Sequence, residues 1–481
     1  MTNSKNLAAA AAPGFRDLAG AALEMRSSMV ARILEVYRRW GYGPLETPAI
    51  ERAESLGSEL PDEDRPNSGV FAWESIEDNT ALALRYDLTA PLARYVAQNI
   101  KALPLPFRRA SAGPVWRNEK ISPGRYRQFW QCDADLVGAP SIGADAEVCA
   151  MLAEALVAAG LSPTDGEIKV SNRKLLDGVL ESSGVNALSE SARLTTIRAI
   201  DKLDRLGIEG VRDLLGPGRR DESGAFTPGA DLSGQQTEQI MRFLQADFSE
   251  LAALVGASAV GQDGLRELDA ALELSTKMRP EMPMRFDPSI VRGLGYYTGT
   301  VLEADLTFEI EDESGQVRRF GSVAGGGRYD GLIRRFVKRD VPAIGVSIGV
   351  DRLVAALALR APPAIKSRCE RPVLVTVMDR DAMAIYQAMA AELRRAGIDT
   401  QVYYGNPRKF GAQLKYADQI GASLALIQGS NERALGRVTI KDLDLGRRIS
   451  ATANAEEWAS QPQQRDVDRA NLVPEILSML R

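Results

Sequence analysis

The residues most able to do chemistry in this sequence lie between positions 107 and 138, in FRRASAGPVWRNEKISPGRYRQFWQCDADLVG. This stretch predicts two strands joined by a basic connection, residues 120–124, that contains glycine and proline. Alternate residues of a strand share a face. On the second strand one face carries two arginines, a ring, an amide and two carboxylates: Arg125, Arg127, Phe129, Gln131, Asp133 and Asp135. Arg117 and Glu119 share a face of the first strand, so the surface suits a ligand with phosphates, a flat ring and an ammonium group.

The charge around this hairpin is unusual for the chain. Residues 101–130 hold seven Lys or Arg residues and one acidic residue, a local net charge of +6, whereas the whole chain carries −5. A positive patch on an acidic protein usually faces an anion. A solvated hairpin with a mixed-charge face is the alternative interpretation, and the local excess of positive charge weakens it.

The 481 residues contain no histidine. This excludes Ser-His-Asp and Cys-His nucleophilic catalysis, histidine metal ligands and imidazole general bases. Three widely spaced cysteines argue against a disulfide framework or a zinc site and fit a reducing cytoplasm. We expect no membrane span and no signal peptide, because the sequence lacks a long apolar run.

The sequence does not match the fingerprints of phosphate-binding loops. GxxxxGK[ST] is absent, and GLGYYTG at 293–299 has the wrong glycine spacing for a dinucleotide-binding turn. GGGRYDG at 325–331 is either an anion-binding nest or a tight turn. A nucleotide would therefore bind to side chains on a sheet surface, where Arg117, Arg292 and Arg352 offer rigid forks for phosphate or carboxylate.

Further candidates complete a ligand site. Phe129 offers a face for a purine, with an arginine stacked on its other side. Acceptors for ammonium and ring N–H groups, and hydroxyls that need partners, are supplied by Asp87, Gln131, Asp135, Tyr296 and Tyr297. For Asp87 a second interpretation is favoured, in which its charge interacts with the start of a helix near Thr89.

Periodicity predicts the elements that hold these residues. The chain begins with an amphipathic helix at about 23–40 and an extended strand at 42–51. A strongly periodic helix at 143–161 follows the hairpin, and 190–280 is mostly helical around a Gly-rich loop. Strand patterns resume at 284–306 and 320–336, and 344–357 is a strand running into a helix. A Pro/Arg-rich linker at 358–372 precedes a small α/β domain with parallel strand pairs.

Together these segments resemble a histidyl-tRNA synthetase, a class II aminoacyl-tRNA synthetase. TPAIE (47–51), GPVWRNE…GRYRQFWQCDADLVG (113–138) and GVSIGVDRL (345–353) resemble class II motifs 1, 2 and 3. RGLGYYTGTVLEA (292–304) and AGGGRYDGL (324–332) resemble segments particular to the histidyl family. Residues 371–443 resemble the family's anticodon-binding domain, so that the likeness covers about 14–448.

The resemblance implies an α+β fold, with a class II antiparallel sheet, flanking helices and a helical insertion at about 190–282. It implies a tail at 1–12, a catalytic domain at 13–360, a linker at 361–370 and a C-terminal α/β anticodon-binding domain at 371–481. It also implies a cytoplasmic homodimer that uses ATP with Mg²⁺, L-histidine and tRNA(His) and has no membrane partner. No residue is predicted as a metal ligand.

Residue roles also follow from the resemblance. It implies that five residues bind ATP: Arg117, Glu119, Arg125, Phe129 and Arg352. Arg117 and Arg292 would be catalytic and hold the α-phosphate, Phe129 and Arg352 would sandwich adenine, and Glu119 would contact it. The remaining arginine, Arg125, would reach the outer phosphates.

The same resemblance implies a histidine site formed by Asp87, Thr89, Arg117, Gln131, Asp135, Arg292, Tyr296 and Tyr297. The first two of these and Gln131 would hold the α-amino group. Asp135 and Tyr297 would read the imidazole, and Tyr296 would help close the pocket. The histidine carboxylate would attack the ATP α-phosphorus, and the terminal ribose of tRNA would then take the histidyl group. Neither step needs a protein nucleophile.

Three features depart from the family pattern: Gly295 where Asp is usual, Trp130 where His is common, and the loop KISP at 120–123. We hypothesise that the tRNA acceptor end is read differently, because this loop reaches toward it in class II enzymes. The missing histidines suggest an enzyme that can be made when histidine is scarce, although drift in composition is the simpler explanation.

Two rival functions remain open. The first is a synthetase-like, histidine-sensing regulatory subunit of ATP phosphoribosyltransferase, which would lack the anticodon-binding domain and would usually have lost the arginines. The second is a different class II synthetase. The three arginines and the basic C-terminal region argue against the first rival. Asp135 and the adjacent tyrosines at 296 and 297 argue against the second.

Overall fold

The computed structural model describes residues 9–56, 69–120, 125–220, 224–279, 281–290, 297–311, 317–360, 371–406, 409–445 and 464–480. Internal contacts divide the chain into two units. The first contains Met1–Asp17 and Met25–Pro362, and the second contains Leu18–Glu24 and Pro363–Arg481. None of the described helices has the length and apolar character needed to cross a membrane.

The first unit contains one large mixed sheet and several small sheets. Its strands are β1 (Gly43–Pro44), β2 (Ile50–Arg52), β3 (Ala72–Glu74), β4 (Ala81–Leu84), β5 (Phe107–Trp116), β6 (Gln128–Val137), β7 (Gly166–Asn172), β8 (Gly218–Arg220), β9 (Phe226–Pro228), β10 (Met284–Phe286), β11 (Thr300–Leu306), β12 (Glu309–Glu311), β13 (Val317–Arg319), β14 (Ser322–Arg328) and β15 (Ala343–Gly349). Within the described ranges, eight strands form one sheet in the order β1-β5-β6-β15-β14-β11-β7-β10. Its two edge strands pair in parallel, and the six between them are antiparallel.

The described helices of this unit pack into several apolar clusters, the largest of which covers one face of the sheet. They are α1 (Gly20–Arg39), α2 (Ala53–Leu56), α3 (Thr89–Asn99), α4 (Ile142–Ala159), α5 (Arg173–Ser182), α6 (Glu190–Ile200), α7 (Leu203–Leu215), α8 (Gly234–Phe243), α9 (Leu251–Val255), α10 (Ala259–Met278), α11 (Arg334–Val337) and α12 (Val350–Arg360). The main core joins Ile33 of α1, Leu152 of α4 and Val179 of α5 to Cys132 and Ala134 of β6. Because strand side chains alternate, the odd-numbered residues of β6 point to the opposite face.

The second unit is a small α/β domain. Its strands are β16 (Val373–Val375), β17 (Thr400–Val402), β18 (Leu424–Ile427), β19 (Arg437–Asp442) and β20 (Gln464–Asp468), and its helices are α13 (Met383–Arg395), α14 (Phe410–Gln419), α15 (Ser430–Ala434) and α16 (Leu472–Met479). β16 pairs in parallel with β17 and β18. β19 and β20 extend the sheet by antiparallel pairing. Apolar residues of α13 and α16 pack against these strands.

The predicted α+β class and the C-terminal α/β domain are confirmed, and the structure revises three local predictions. The single strand predicted at 42–51 is two short strands, β1 and β2, which pair with different neighbours. The Gly-rich loop predicted inside the helical stretch includes the hairpin β8–β9. The glycines at 325–327 lie inside β14, and the turn in the predicted segment 325–331 begins only at Asp330.

Candidate active site

The two strands predicted at 107–138 are confirmed as the antiparallel pair β5–β6, with Phe107 opposite Val137 and Trp116 opposite Gln128. Arg117 lies just beyond the ladder, and its amide donates a hydrogen bond of 2.8 Å to the carbonyl of Arg127. The prediction that Arg117, Glu119 and Arg127 lie on strands is therefore wrong, and Arg125 forms only an isolated β-bridge. These residues lie at the end of the hairpin, where some of their long side chains can contact a ligand.

The solvated-hairpin alternative is also wrong, because β6 is buried continuously from Gln131 to Val137. It lies between β5 and β15 in the middle of the large sheet. A buried strand with three polar side chains on one face is expensive unless those groups have partners. Polar residues retained at such positions point to a binding function for this face.

Arg117 is held beside two aromatic rings. Its guanidinium carbon lies 4.2 Å from the ring centre of Tyr86 and 5.2 Å from that of Phe129. Its Nε donates to the carbonyl of Tyr86 at 3.3 Å. The Tyr86 hydroxyl in turn donates to the Glu119 carboxylate at 3.2 Å, and desolvation raises the pKa of Tyr86 to about 12. These contacts bring Arg117, Glu119 and Phe129 together, as an ATP site requires.

Arg125 and Arg127 differ in their surroundings. Arg125 is exposed. Arg127 donates to the carbonyls of Glu119 at 3.4 Å and Pro13 at 3.3 Å, so that it ties the hairpin to the segment near the N-terminus. Arg125 is therefore available to an outer phosphate, whereas Arg127 stabilises the protein's own backbone.

At the other end of β6, Asp135 belongs to a buried charge network. Its carboxylate lies 3.1 Å from Nη2 of Arg109, and it accepts a short hydrogen bond from the Tyr329 hydroxyl. Arg109 also donates to the carbonyl of Leu88 at 2.6 Å. Burial raises the pKa of Asp135, and the positive charge of Arg109 opposes this shift. Asp135, which is predicted to bind the imidazole, therefore already has a cationic partner and a hydroxyl partner.

A small cavity opens beside Asp135. Its lining residues come from four elements and the segment before β11: Thr89, Asp135, Tyr297, Gly325, Gly326, Tyr329, Gly345, Val346 and Ser347. Glycine at these positions leaves the cavity unobstructed by side chains. A Cβ at Gly345 would collide with the Asp135 carboxylate, and a Cβ at Gly327 would collide with the Tyr297 ring. The cavity therefore combines a carboxylate, two phenols and backbone atoms, a lining that suits a polar ligand.

Asp87 and Thr89 flank this cavity at the start of α3. The Asp87 carboxylate accepts hydrogen bonds from the amides of Thr89 at 3.2 Å and Ala90 at 2.9 Å. The helix-start interpretation of Asp87 is therefore confirmed. Contact with a substrate ammonium group stays a prediction for this residue.

Arg352 lies on a different aromatic ring from the one expected. Its guanidinium carbon is 5.5 Å from the ring centre of Phe320, and its Nη2 donates to the carbonyl of Phe320 at 2.8 Å. The neighbouring Asp351 accepts a hydrogen bond of 2.6 Å from the amide of Trp130. This bond joins the start of α12 to β6 next to Phe129. A purine held between Phe129 and Arg352 stays a prediction, and Phe320 is an aromatic neighbour that the motifs did not reveal.

Some predicted residues fall outside the described part of the chain. Arg292 and Tyr296, the atypical Gly295 and residues 121–124 of the connecting loop belong to this group. Among the residues that the structure does describe, no group of three acidic or cysteine side chains could hold a metal ion.

Sequence reasoning missed Arg109 and Tyr329 as parts of the site. Arg109 lies in an otherwise ordinary strand, and its pairing with Asp135 follows from the register of β5 and β6. An arginine paired by register with an aspartate is the signal that could have revealed it. Tyr329 directly follows the glycine strand that was read as a turn.

Comparison with known proteins agrees with this geometry. The family model for histidyl-tRNA synthetase matches residues 14–353, and the model for an anticodon-binding domain matches residues 372–477. The chain is 55% identical to the histidine–tRNA ligase of Cereibacter sphaeroides, covering 97% of both chains. It is 55% identical to that of Paracoccus denitrificans, covering 97% of this chain and 96% of the relative. The crystal structure of histidyl-tRNA synthetase from Nostoc sp. PCC 7120 has a TM-score of 0.72 at 28% identity, covering 98% of this chain and 99% of that one.

Proposed function

The chain belongs to the histidyl-tRNA synthetase family and ligates histidine to tRNA(His), and from this premise we propose how its residues divide the reaction. ATP binds where the β5–β6 hairpin opens, and histidine binds in the cavity beside Asp135. The observation that carries this proposal is the position of Arg117, which is attached to the same hairpin as Asp135 and faces Tyr86 and Phe129. One rigid strand pair thus spans from the phosphate site to the amino-acid site.

In the first step the histidine carboxylate attacks the α-phosphorus of ATP, and pyrophosphate leaves. Two anions must be brought together for this, so the main task is orientation and neutralisation of charge. We assign this task to Arg117 and Arg292, whose guanidinium groups can each pair with two oxygens. Orientation of this kind can supply roughly 7–11 kcal/mol of a barrier.

The nucleotide and amino-acid subsites follow the same division. For ATP, Glu119 contacts adenine, Phe129 and Arg352 stack on it, and the exposed Arg125 reaches the outer phosphates. For histidine, the α-amino group is held by three acceptors, Asp87, Thr89 and Gln131, while the imidazole is read by Asp135 and Tyr297 and enclosed by Tyr296. Support for Gln131 comes from its buried Oε1, which has no hydrogen-bond partner among the described residues.

Mg²⁺ enters this scheme as part of the nucleotide substrate. The described residues offer no three-ligand acidic cluster, and Mg²⁺ in such enzymes is commonly held by phosphate oxygens with one or two carboxylates. Every step assigned to the protein therefore rests on its arginines, carboxylates and hydroxyls. In the second step the terminal ribose hydroxyl of tRNA takes the histidyl group from the adenylate, and AMP is released.

We also propose that the enzyme is a cytoplasmic homodimer. Support comes from the motif 1 resemblance and from exposed apolar side chains on the small sheet β2-β4-β3 and its turn: Ile50, Trp73 and Ile76 are at least two-fifths exposed. Sedimentation velocity over a range of protein concentrations tests the dimer. A species of one-chain mass at all concentrations would contradict it.

The regulatory-subunit alternative is not favoured. A structure titled as an ATP phosphoribosyltransferase regulatory subunit/histidyl-tRNA synthetase, from Bacillus halodurans C, matches with a TM-score of 0.67 at 23% identity, which shows the shared fold alone. The histidine–tRNA ligases match at much higher identity over nearly the whole chain, including the anticodon-binding region.

The two-step scheme is tested by isolating its intermediate. The enzyme is mixed with histidine and ATP, passed through a gel-filtration column, and then given tRNA(His) without further ATP. We expect an enzyme-bound adenylate that transfers histidine to the tRNA. Transfer that still requires free ATP after the column would contradict the scheme.

A further inference from the structure

A short segment near the N-terminus, residues 13–16, lies against the hairpin to which the proposed function assigns ATP. The amide of Arg127 donates a hydrogen bond of 2.9 Å to the carbonyl of Gly14. Nη1 of Arg127 also donates to the carbonyl of Pro13, which is 114 positions away in the sequence, at 3.3 Å. The segment is thus attached to the chain just before β6 by hydrogen bonds from both the backbone and a side chain.

Arg16, the last residue of this segment, contacts two further elements. Its guanidinium carbon lies 3.8 Å from the ring centre of Tyr126, which directly precedes Arg127. Its Nη2 donates a hydrogen bond of 2.8 Å to Oδ1 of Asp351, in the first turn of α12. A planar guanidinium can stack on a ring and pair with a carboxylate at the same time. Arg16 therefore joins the chain before β6 to the beginning of α12.

Asp351 completes this link on its other side. The ladder between β15 and β6 ends where Gly349 lies opposite Gln131, and Trp130 is the next residue of β6. Oδ2 of Asp351 accepts a hydrogen bond of 2.6 Å from the amide of Trp130. The Asp351 side chain is only 6% exposed, and a carboxylate buried to this degree needs partners for its oxygens. Arg16 supplies the partner for one oxygen and the Trp130 amide supplies the partner for the other.

Trp130 is one of the departures from the family pattern, and its side chain belongs to the same group of contacts. By strand alternation its ring lies on the face of β6 opposite to Phe129, where it packs against the main core. The guanidinium carbon of Arg26, on α1, lies 4.8 Å from the centre of this ring. Nη1 of Arg26 is 4.0 Å from the Asp351 carboxylate. The Trp130 ring therefore contacts the helix side of the sheet, not the side that carries Phe129.

These contacts lie between the two residues that are predicted to stack on adenine. Phe129 directly precedes Trp130 on β6, and Arg352 directly follows Asp351 on α12. The hydrogen bond between the Asp351 carboxylate and the Trp130 amide sets the distance between these two backbones, and the charge of Arg16 holds the carboxylate in place. A ring and a guanidinium can stack on opposite faces of one purine only if their backbones keep such a distance.

We propose that Arg16 is a positioning residue of the ATP site, which acts through Asp351 to hold Phe129 and Arg352 at the spacing that adenine needs. This inference rests on the proposed function, since it assumes that ATP binds at the end of the β5–β6 hairpin. No contact with either substrate is assigned to Arg16 itself.

The test compares Arg16→Gln with the wild type in histidine-dependent ATP–pyrophosphate exchange. Glutamine removes the guanidinium that lies 2.8 Å from the Asp351 carboxylate. We expect KM for ATP to rise about 5- to 30-fold, because a hydrogen bond between two charged groups is lost and the stacking residues lose their fixed spacing. KM for histidine should stay within about twofold, because the amino-acid cavity is lined by other residues.

Two further variants, each with a thermal melt, separate positioning from folding. Arg16→Lys keeps a positive charge for Asp351 and loses only the stack on Tyr126, so KM for ATP should return to within about threefold of the wild type. Arg32→Gln is the matched control, because Arg32 is an exposed arginine on α1 that donates to the carbonyl of Ala159 at 3.3 Å. It should leave both KM values within about twofold of the wild type.

The variant Asp351→Asn tests whether Arg16 acts through Asp351. Asparagine keeps an acceptor for the Trp130 amide and removes the charge that pairs with Arg16. If the two residues act through one bond, the double variant Arg16→Gln/Asp351→Asn should raise KM for ATP no more than about twofold beyond the larger single effect.

Four outcomes would overturn the inference. The first is a KM for ATP within about twofold of the wild type in Arg16→Gln. The second is a double variant whose effect is the product of the two single effects, and the third is no recovery in Arg16→Lys. The fourth is a parallel rise in KM for ATP and for histidine with a lower melting temperature, which would mean a purely structural role. Failure of the wild type itself to exchange pyrophosphate with histidine would instead contradict the proposed function.

Discussion

Replacing Arg117 by glutamine should impair catalysis without unfolding the protein. Glutamine keeps part of the side-chain length and can still stack weakly, but it has no charge and no bidentate fork. If Arg117 pairs with two oxygens in the transition state, two charge-assisted hydrogen bonds are lost at about 1.5–3 kcal/mol each. The expected loss is about 3–6 kcal/mol, which corresponds to roughly 10²- to 10⁴-fold in kcat/KM.

The cost to folding should be much smaller. In the free protein Arg117 makes one hydrogen bond to the Tyr86 carbonyl at 3.3 Å and lies over two rings. Each cation–π contact at a half-exposed site contributes about 0.5–1 kcal/mol. Together these contacts amount to about 1.5–3.5 kcal/mol, below the 5–15 kcal/mol that holds a typical domain folded. Arg117→Gln should therefore remain folded.

The assay is histidine-dependent ATP–pyrophosphate exchange, with a thermal melt of each variant. Arg127→Gln is the matched control, because Arg127 lies on the same hairpin and its described hydrogen bonds go to backbone carbonyls. It should retain activity within about threefold, since only about 0.5–1.5 kcal/mol of backbone contact is lost per bond. Arg117→Gln with more than a third of the wild-type rate, or an equal loss in Arg127→Gln, would refute the reasoning.

Four further predictions extend the account. Arg292→Lys should cut adenylate formation severely and leave the fold intact, and near-normal pyrophosphate exchange would contradict the assignment. Aminoacylation of transcripts with varied end nucleotides should show altered acceptor identity if loop 120–123 reads the tRNA differently, and ordinary dependence on the usual extra guanosine would refute this. Because the folded pKa of Asp133 lies above its unfolded value of about 4, the wild type should lose stability relative to Asp133→Asn as the pH rises from about 4 towards about 8, measured by thermal melts. Under histidine limitation the chain should be made faster than a variant with several surface histidines, and equal rates would end that idea.

Strand alternation was sufficient to place Phe129, Gln131, Asp133 and Asp135 on one face, because period-two patterning does not depend on tertiary context. The ends of the hairpin were harder. Arg117 continues the alternating pattern, but strand β5 ends at Trp116, and only the hydrogen bond from the Arg117 amide to the Arg127 carbonyl lies beyond it. Local sequence does not encode where two strands stop pairing.

The glycines at 325–327 were misread for a related reason. Glycine usually marks turns, since it tolerates positive φ. Here it serves close packing instead: a Cβ at Gly326 would collide with the carbonyl of Gly345 on the neighbouring strand. Partners that depend on register, such as Arg109 for Asp135, likewise became visible only once the strands were paired. The strand β20, at 464–468, was also not predicted, because its charged residues lack a clear alternation.

The central claim is that this chain activates histidine at the β5–β6 hairpin and transfers it to tRNA(His). The most direct measurement is ATP–pyrophosphate exchange with the wild-type chain and each of the twenty amino acids in turn. We predict exchange that depends on histidine alone, and that is lost in Arg117→Gln. Exchange with another amino acid in preference to histidine, or exchange that survives Arg117→Gln, would contradict the claim.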